Sequence, residues 1–154
     1  MKIHSLTAIF ALLVLACASA CSQTAPETSA TAAPGGDKAL CARVTAVSEE
    51  AAKALAPVAA TLAGAPPSAG ELAKATDDLK ATFTTMHLGV AAAAENAGDP
   101  DLKAKFSVYQ YAVEQAIVVV EGADGKPDRL TAAIELPALR EAKQDVTEAC
   151  ELAS

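Results

Sequence analysis

Apolar residues recur at intervals of three and four along the chain from residue 40 onward, and this spacing is typical of one face of an α-helix. In the first segment the recurring positions are Leu40, Val44, Val47, Ala51, Ala54, Val58 and Thr61 or Leu62. The pattern ends at Gly64, and the Ala65-Pro66-Pro67 sequence that follows predicts a turn. This segment is therefore predicted to be a long amphipathic helix.

The second segment carries signals for both ends of a helix. Ser68-Ala69-Gly70-Glu71 has the pattern of a capping box, in which Ser68 accepts from first-turn amides and Glu71 reaches back. Gly98 ends the segment, and Asp99-Pro100 predicts the start of the next helix, with Asp99 as N-cap. The inward positions of the second helix are predicted to be Leu72, Leu79, Phe83, Met86, Val90, Ala93 and Ala97.

The third and fourth segments each contain an irregularity. Residues 116–120 form a β-branched run that would also suit a strand, but no partner strand is evident, so we predict that the run is helical. Residues 122–125 break the third helix, Pro127 begins the fourth, and Pro137 interrupts it. The inward positions of the two segments are Leu102, Phe106, Tyr109, Val113, Ala116 and Val120, then Leu130, Ile134, Leu139, Ala142, Val146 and Cys150.

Four helices joined by short turns predict an all-α, up-down-up-down four-helix bundle over residues 37–154. An even number of antiparallel helices places the start of the first and the end of the last at the same end of the bundle. Cys41 lies in the opening turn of the first helix and Cys150 in the closing turn of the last helix. We therefore predict a disulfide between them, which by the chain-entropy model contributes on the order of 4–5 kcal/mol.

The composition agrees with a helical core and limits the possible partners. Hydrophobic residues make up 52% of the 154 residues, aromatic residues only 3%, and Trp is absent, so the core must consist mainly of Ala, Val and Leu. The formal net charge is −7, which argues against a nucleic-acid partner because phosphate binding needs clustered Lys and Arg.

The first 21 residues have the organisation of an export signal. Lys2 supplies a positive charge, residues 9–16 are apolar, and Ala18-Ser19-Ala20 precedes Cys21. The apolar run is too short for a permanent transmembrane helix. The arrangement resembles the signal of a bacterial lipoprotein, in which a small residue precedes a cysteine that receives lipid, such as palmitate, and becomes the new N-terminus.

Two other readings of this region stay open. Val14-Leu15-Ala16-Cys17 has the aliphatic residue that the lipoprotein pattern prefers, and Ala18-Ser19-Ala20 also fits an ordinary cleavage site that would release a soluble secreted protein. Lipidation of Cys21 leaves Cys41 and Cys150 as an even pair, whereas the alternatives leave an odd thiol in an oxidising compartment. We therefore favour Cys21 as the attachment site.

The resemblance implies three parts: a signal peptide at residues 1–20, a lipid-attachment and tether segment at 21–36, and the helical domain at 37–154. Residues 22–36 contain no Val, Leu, Ile or aromatic residue, a composition typical of a disordered spacer. The whole chain resembles a small, Ala-rich bacterial envelope lipoprotein, and this resemblance is specific only in the signal. It implies an exported protein held at the cell envelope by lipid.

Candidate chemical groups are few. Met86 and His87 are residue types that bind haem or copper, but no second His or CxxCH motif accompanies them, so an ordinary boundary histidine is favoured. The acidic pairs at 49–50 and 77–78 point in diverging directions on a helix and indicate solvated surface, with Glu49–Lys53 and Asp101–Lys105 as expected ion pairs. We assign no catalytic residue, metal ligand or cofactor.

The functional prediction is a non-enzymatic binding or interaction module anchored at the bacterial cell envelope. Pro57, Pro137 and a run of aliphatic residues lie near the membrane-distal end, where they predict a groove or patch for a protein partner. The possible apolar patch consists of Ile117, Val118, Val119 and Val120. The alternative is a carrier that holds a small apolar ligand, a lipid or haem, in that groove.

Overall fold

The computed structural model describes residues 36–153, and every regular element within that range is an α-helix. The predicted signal peptide, Cys17, Cys21 and nearly all of the tether lie outside the described residues. Gly36, which we had assigned to the tether, is the first residue of α1. The helices in chain order are α1 (Gly36–Ala63), α2 (Ala69–Asn96), α3 (Pro100–Glu121), α4 (Pro127–Ile134) and α5 (Pro137–Leu152).

The helix starts predicted at Ser68 and Asp99 are confirmed. The Glu71 amide donates to the Ser68 hydroxyl at 3.3 Å, and the Ser68 amide donates to the Glu71 carboxylate at 2.8 Å. The Ser68 hydroxyl also donates to the Glu71 carboxylate at 2.7 Å, and this bond, together with that from the Ser68 amide, lowers the pKa of Glu71 from its ordinary value. At α3, the Asp99 carboxylate accepts from the amides of Asp101 and Leu102 at 2.8 and 2.9 Å. Both helices therefore begin where a side chain accepts hydrogen bonds from amides of the first turn that have no partner within the helix.

The β-branched run at the end of α3 is helical, as predicted. Burial explains this outcome, because Ala116 and Val120 lie in the core while Ile117 and Val119 pack against its margin. The helix ends at Glu121, and the turn after it reverses the chain through positive φ angles at Asp124 and Gly125, 51° and 67°.

The predicted fourth helix consists of two shorter ones. Pro137 has no amide hydrogen to continue the α4 hydrogen-bond pattern, and it occupies instead the first turn of α5. Both short helices pack on α3, so the pair fills the fourth position of the bundle. Pro57, in contrast, lies inside α1 without ending it. The predicted all-α four-helix bundle is confirmed.

The packing between helices is uneven. The most extensive interface joins α2 to α3, followed by α1 on α2 and α5 on α3. The largest fully buried side chains are Tyr109, Phe83, Phe106, Leu79 and Leu130. Helices α1 and α5 make few contacts with each other. The fourth side of the bundle is consequently less tightly closed than the other three.

Candidate functional site

A disulfide joins α1 to α5 at one end of the bundle, which we call the disulfide end. Cys41 and Cys150 have an S–S distance of 2.04 Å and a Cα–Cα distance of 5.6 Å, and both side chains are buried. At the same end the Asp37 carboxylate accepts from the amides of Gly98 and Asp99, at 2.9 and 3.1 Å. The predicted disulfide is confirmed, and α1 is also linked to the α2–α3 turn.

A groove runs from the disulfide along the seam between α1 and α5, and we call it the α1–α5 groove. It consists of three adjoining cavities of about 330, 170 and 190 Å³. Thr45 and Thr147 line both of the first two, while Ser48, Tyr109 and Lys143 line both of the last two. The groove follows from the small side chains that α1 presents to this seam, which leave space that α5 does not fill.

A buried polar pair lies at the floor of this groove. The Ser48 hydroxyl lies 3.0 Å from the Tyr109 hydroxyl, which donates to Met86 Sδ at 3.7 Å. Burial raises the pKa of Tyr109, and the hydrogen bond to Ser48 partly offsets this effect. The phenol is therefore held neutral between α1, α2 and α3, where it links the three helices.

The sequence prediction did not include Ser48 among the buried residues. The signal was present, because Cys41, Val44, Ser48 and Ala51 have the same spacing of three and four and are all buried. The predicted stripe included Val44 and Ala51 but took Val47 in place of Ser48, and it added Ala54; Val47 is only partly buried and Ala54 is exposed. A small hydroxyl within an apolar stripe, with a tyrosine on a facing helix, indicates such a buried pair.

Met86 and His87 diverge in the structure. Met86 is buried in the core, whereas His87 is partly exposed at the α2–α3 boundary, with its Nε2 atom 3.4 Å from Gln110 Nε2. Within residues 36–153, no three His, Cys, Asp or Glu side chains are placed to share a metal ion.

The charged residues form a different set of pairs from the one expected. Lys105 pairs with Asp145 of α5 at 2.6 Å rather than with Asp101 on its own helix, and this contact raises the pKa of Lys105. The second ion pair in the described part of the chain is Lys74–Asp78, also at 2.6 Å, and it lies on the surface of α2. The expected Glu49–Lys53 pair does not form among the described residues. The inter-helix pair ties α3 to α5.

The predicted apolar patch does not form one exposed surface. Val118 is 54% exposed, but Val120 is 1% exposed, and Ile117 and Val119 are partly buried against the core. The reason is that consecutive residues of an α-helix point in different directions, and α3 packs against α2, α4 and α5. The groove beside Pro57 is lined by charged as well as apolar residues and is not a purely apolar site.

Val118 belongs instead to an exposed row along the outside of α3, which we call the outer stripe. Its members are Ala104, Val108, Tyr111 and Val118, which are exposed, and Gln115, which is partly exposed. Val108 is 55% exposed and Tyr111 is 62% exposed. The sequence analysis missed this row because it considered only the inward face of α3, although the outward residues repeat at intervals of four and three as well.

None of the five helices between Gly36 and Leu152 is both long and apolar enough to cross a membrane. Comparison of the chain with models of known protein families, with curated proteins and with solved structures found no match.

Proposed function

We propose that this protein is a lipid-anchored, non-enzymatic interaction module of the bacterial cell envelope, attached to the membrane through Cys21. Its folded domain would hold the outer stripe of α3 above the membrane as the binding surface. The tether between Cys21 and Gly36 would allow the domain to move relative to the bilayer.

The single observation that carries this proposal is the Cys41–Cys150 disulfide. Disulfides persist mainly in oxidising compartments, so a cysteine pair that closes the fold supports an exported protein. The apolar residues 9–16 before Cys21 point in the same direction. With Cys41 and Cys150 bonded to each other, Cys21 is available for lipid, and its lipidation leaves no odd thiol because Cys17 is removed with the signal.

The outer stripe supports a role in binding. Val108, Tyr111 and Val118 are each more than half exposed and project from one face of a well-packed helix. The largest apolar patch on a monomeric protein is often a functional surface. Because α3 is held by α2 and α5, these side chains keep fixed relative positions, which favours recognition of a protein surface.

The anchoring is tested by replacing each candidate cysteine in the full chain. Cells that express the wild type, Cys21→Ser or Cys17→Ser are labelled with radioactive palmitate and separated into membrane and soluble fractions. We expect Cys21→Ser alone to lose the label and to leave the membrane fraction. Loss of the label in Cys17→Ser alone would assign the lipid to Cys17, and an unlabelled wild type would refute lipid anchoring.

The binding role is tested by a charge on the outer stripe. Val118→Asp should preserve the fold because Val118 is more than half exposed, whereas the same change at buried Val120 would disrupt the core. Leu88→Asp is the matched control, since Leu88 is 63% exposed on α2. We expect in-cell crosslinking to capture a partner with the wild type and Leu88→Asp but not with Val118→Asp. Equal capture by all three would refute the role of the stripe.

The α1–α5 groove favours one alternative, a carrier of a small apolar ligand. Its cavities lie over the buried Ser48–Tyr109 pair, near Met86 and Leu139. Native mass spectrometry of the protein purified from cells would detect a retained lipid, and a Soret band in its absorption spectrum would detect haem. Repeated isolation without any ligand would refute this alternative.

A further inference from the structure

We infer that the partner of the outer stripe is a second copy of this chain, and that two α3 helices pair in parallel at the membrane surface. This inference deepens the proposed function and rests on it for the orientation of the two copies. The inference depends on the outer stripe of α3, whose residues are mostly exposed and have the spacing of a seam between two helices. The rest of α3 packs against α2, α4 and α5.

The spacing of the outer stripe is that of a coiled-coil seam. Ala104, Val108, Tyr111, Gln115 and Val118 follow each other at intervals of four, three, four and three. This is a repeat of 3.5 residues, which keeps one face of a helix against a partner helix. The row covers four intervals and is about 21 Å long at a rise of about 1.5 Å per residue.

The residue types suit a pair of parallel helices. In heptad terms Val108 and Gln115 occupy a positions, while Ala104, Tyr111 and Val118 occupy d positions. A polar residue at one a position, here Gln115, fixes the register of the two helices. Two copies in register place Gln115 against its own equivalent, and an amide can both donate to and accept from a second amide.

The charges around the stripe are compatible with this pairing. Lys105 flanks the row and is already paired with Asp145 of its own chain. Glu114 on the other flank would lie beside Val119 of the second copy, so no like charges meet between Ala104 and Val118. Asp101 extends the same register toward the helix start and would meet its equivalent, which limits the seam to the part of α3 after the first turn.

The position of the chain start determines the direction of pairing. Gly36 lies at the disulfide end, and Cys21 precedes it by 15 residues. Anchoring of both copies in one membrane places both chain starts on the same side, and this favours two α3 helices that run in the same direction. An antiparallel pair would place one domain upside down.

The size of the surface indicates that anchoring and pairing act together. The exposed parts of Val108, Tyr111 and Val118 offer roughly 300 Å² of apolar area per copy, whereas stable complexes bury about 800 Å² per partner. Pairing in dilute solution is therefore weak. Attachment of both copies to one surface raises their effective concentration, which favours a small interface of this kind.

Cysteine crosslinking of the full, membrane-attached chain tests the inference. Facing a or d positions of a parallel pair bring Cα atoms within reach of a disulfide. We expect Gln115→Cys and Val118→Cys each to give an oxidised dimer on a non-reducing gel. Leu88→Cys, at a position of α2 that is 63% exposed against 54% for Val118, should give at least tenfold less dimer. Equal yields at all three positions, or no dimer, would overturn the inference.

The same material distinguishes the direction of pairing and the type of partner. An antiparallel pair would crosslink a mixture of Ala104→Cys and Val118→Cys chains in preference to either alone, and this result would refute parallel pairing. If the chain is labelled with palmitate but crosslinks through Val118 only to a different protein, the pairing of two copies is refuted. The proposed function would stand in that case. A dimer that forms equally in Cys21→Ser would keep the pairing and refute its dependence on the anchor.

A second substitution checks that the dimer depends on the stripe rather than on crowding. Tyr111→Lys in the Gln115→Cys chain should lower the crosslinked fraction at least tenfold, while Leu88→Lys should leave it unchanged. Both side chains are almost equally exposed, at 62% and 63%, so neither change should alter the thermal unfolding of the domain by circular dichroism. An unchanged fraction in Tyr111→Lys would contradict a seam centred on the stripe.

Discussion

Removal of the disulfide by the double substitution Cys41→Ala and Cys150→Ala should cost a large part of the stability of the domain. The two residues are separated by 109 positions. In the chain-entropy model a loop of this length restricts the unfolded chain by about 16 cal/mol/K, or about 4.8 kcal/mol at 25 °C. The total free energy of unfolding of a domain is about 5–15 kcal/mol, so the loss is between one third and nearly all of it.

The structure predicts where the loss appears first. Because α1 and α5 make few other contacts with each other, the disulfide is the main connection between these two helices. The extensive α2–α3 interface does not depend on it. We therefore expect hydrogen exchange of the reduced protein to accelerate in α1 and α5 before it does so in α2 and α3.

Urea unfolding followed by far-UV circular dichroism measures the magnitude, since the chain has no Trp for fluorescence. With a slope of about 1–3 kcal/mol/M, the midpoint should fall by roughly 2–5 M relative to the oxidised protein. The dithiothreitol-reduced wild type should behave like the double variant. A loss of less than about 1 kcal/mol would refute the argument that the closed loop is a major source of stability.

Three further predictions concern single side chains. Gly89→Ala should lower stability by up to about 2 kcal/mol in urea unfolding, because the added Cβ would lie 3.0 and 3.2 Å from the two methyl groups of Val47 and this crowding outweighs the roughly 0.5–1 kcal/mol that Ala gains over Gly inside a helix. Gly70→Ala, with nothing within 4 Å, should not lower stability. Burial raises the pKa of Tyr109, so the stability that the neutral phenol contributes is complete below its ordinary pKa of 10.0 and is lost as pH rises through the folded-state pKa. Tyr109→Phe should therefore be less stable than the wild type by about 1 kcal/mol at neutral pH. In an alkaline titration, however, the variant should unfold at a higher pH than the wild type. Asp37→Ala should lower the melting temperature through about 1 kcal/mol of lost hydrogen bonding to the α2–α3 turn, and an unchanged melting temperature would contradict this role.

Local signals in the sequence predicted the helices and the disulfide. The Ser68 and Asp99 caps depend on residues within three positions of each other, so their chemistry is visible along the chain. The cysteine pairing depended only on an even number of antiparallel segments. The division of the fourth segment at Pro137 was visible as an interruption, but whether the two parts form one bent helix or two helices depends on packing against α3.

The features that the sequence did not predict depend on which helix faces lie next to each other. Periodicity shows that residues 117–120 surround a helix, but only the neighbours of α3 determine that Val118 is exposed and Val120 is buried. The α1–α5 groove likewise requires the distance between two helices, which depends on the side chains of both. Ser48 was missed for the same reason, since its partner Tyr109 is 61 positions away.

The turn at Asp124 and Gly125 lies at the opposite end of the domain from residues 36 and 153. These two residues lie near the disulfide, where the Cα atoms of Cys41 and Cys150 are 5.6 Å apart. A short Gly-Ser connection from residue 153 to residue 36 would thus suffice to rewire the domain, with new ends opened at this turn. Such a circular permutant would retain every helix while moving the attachment point to the other pole. It would present the same protein surface to the surroundings in the inverted orientation.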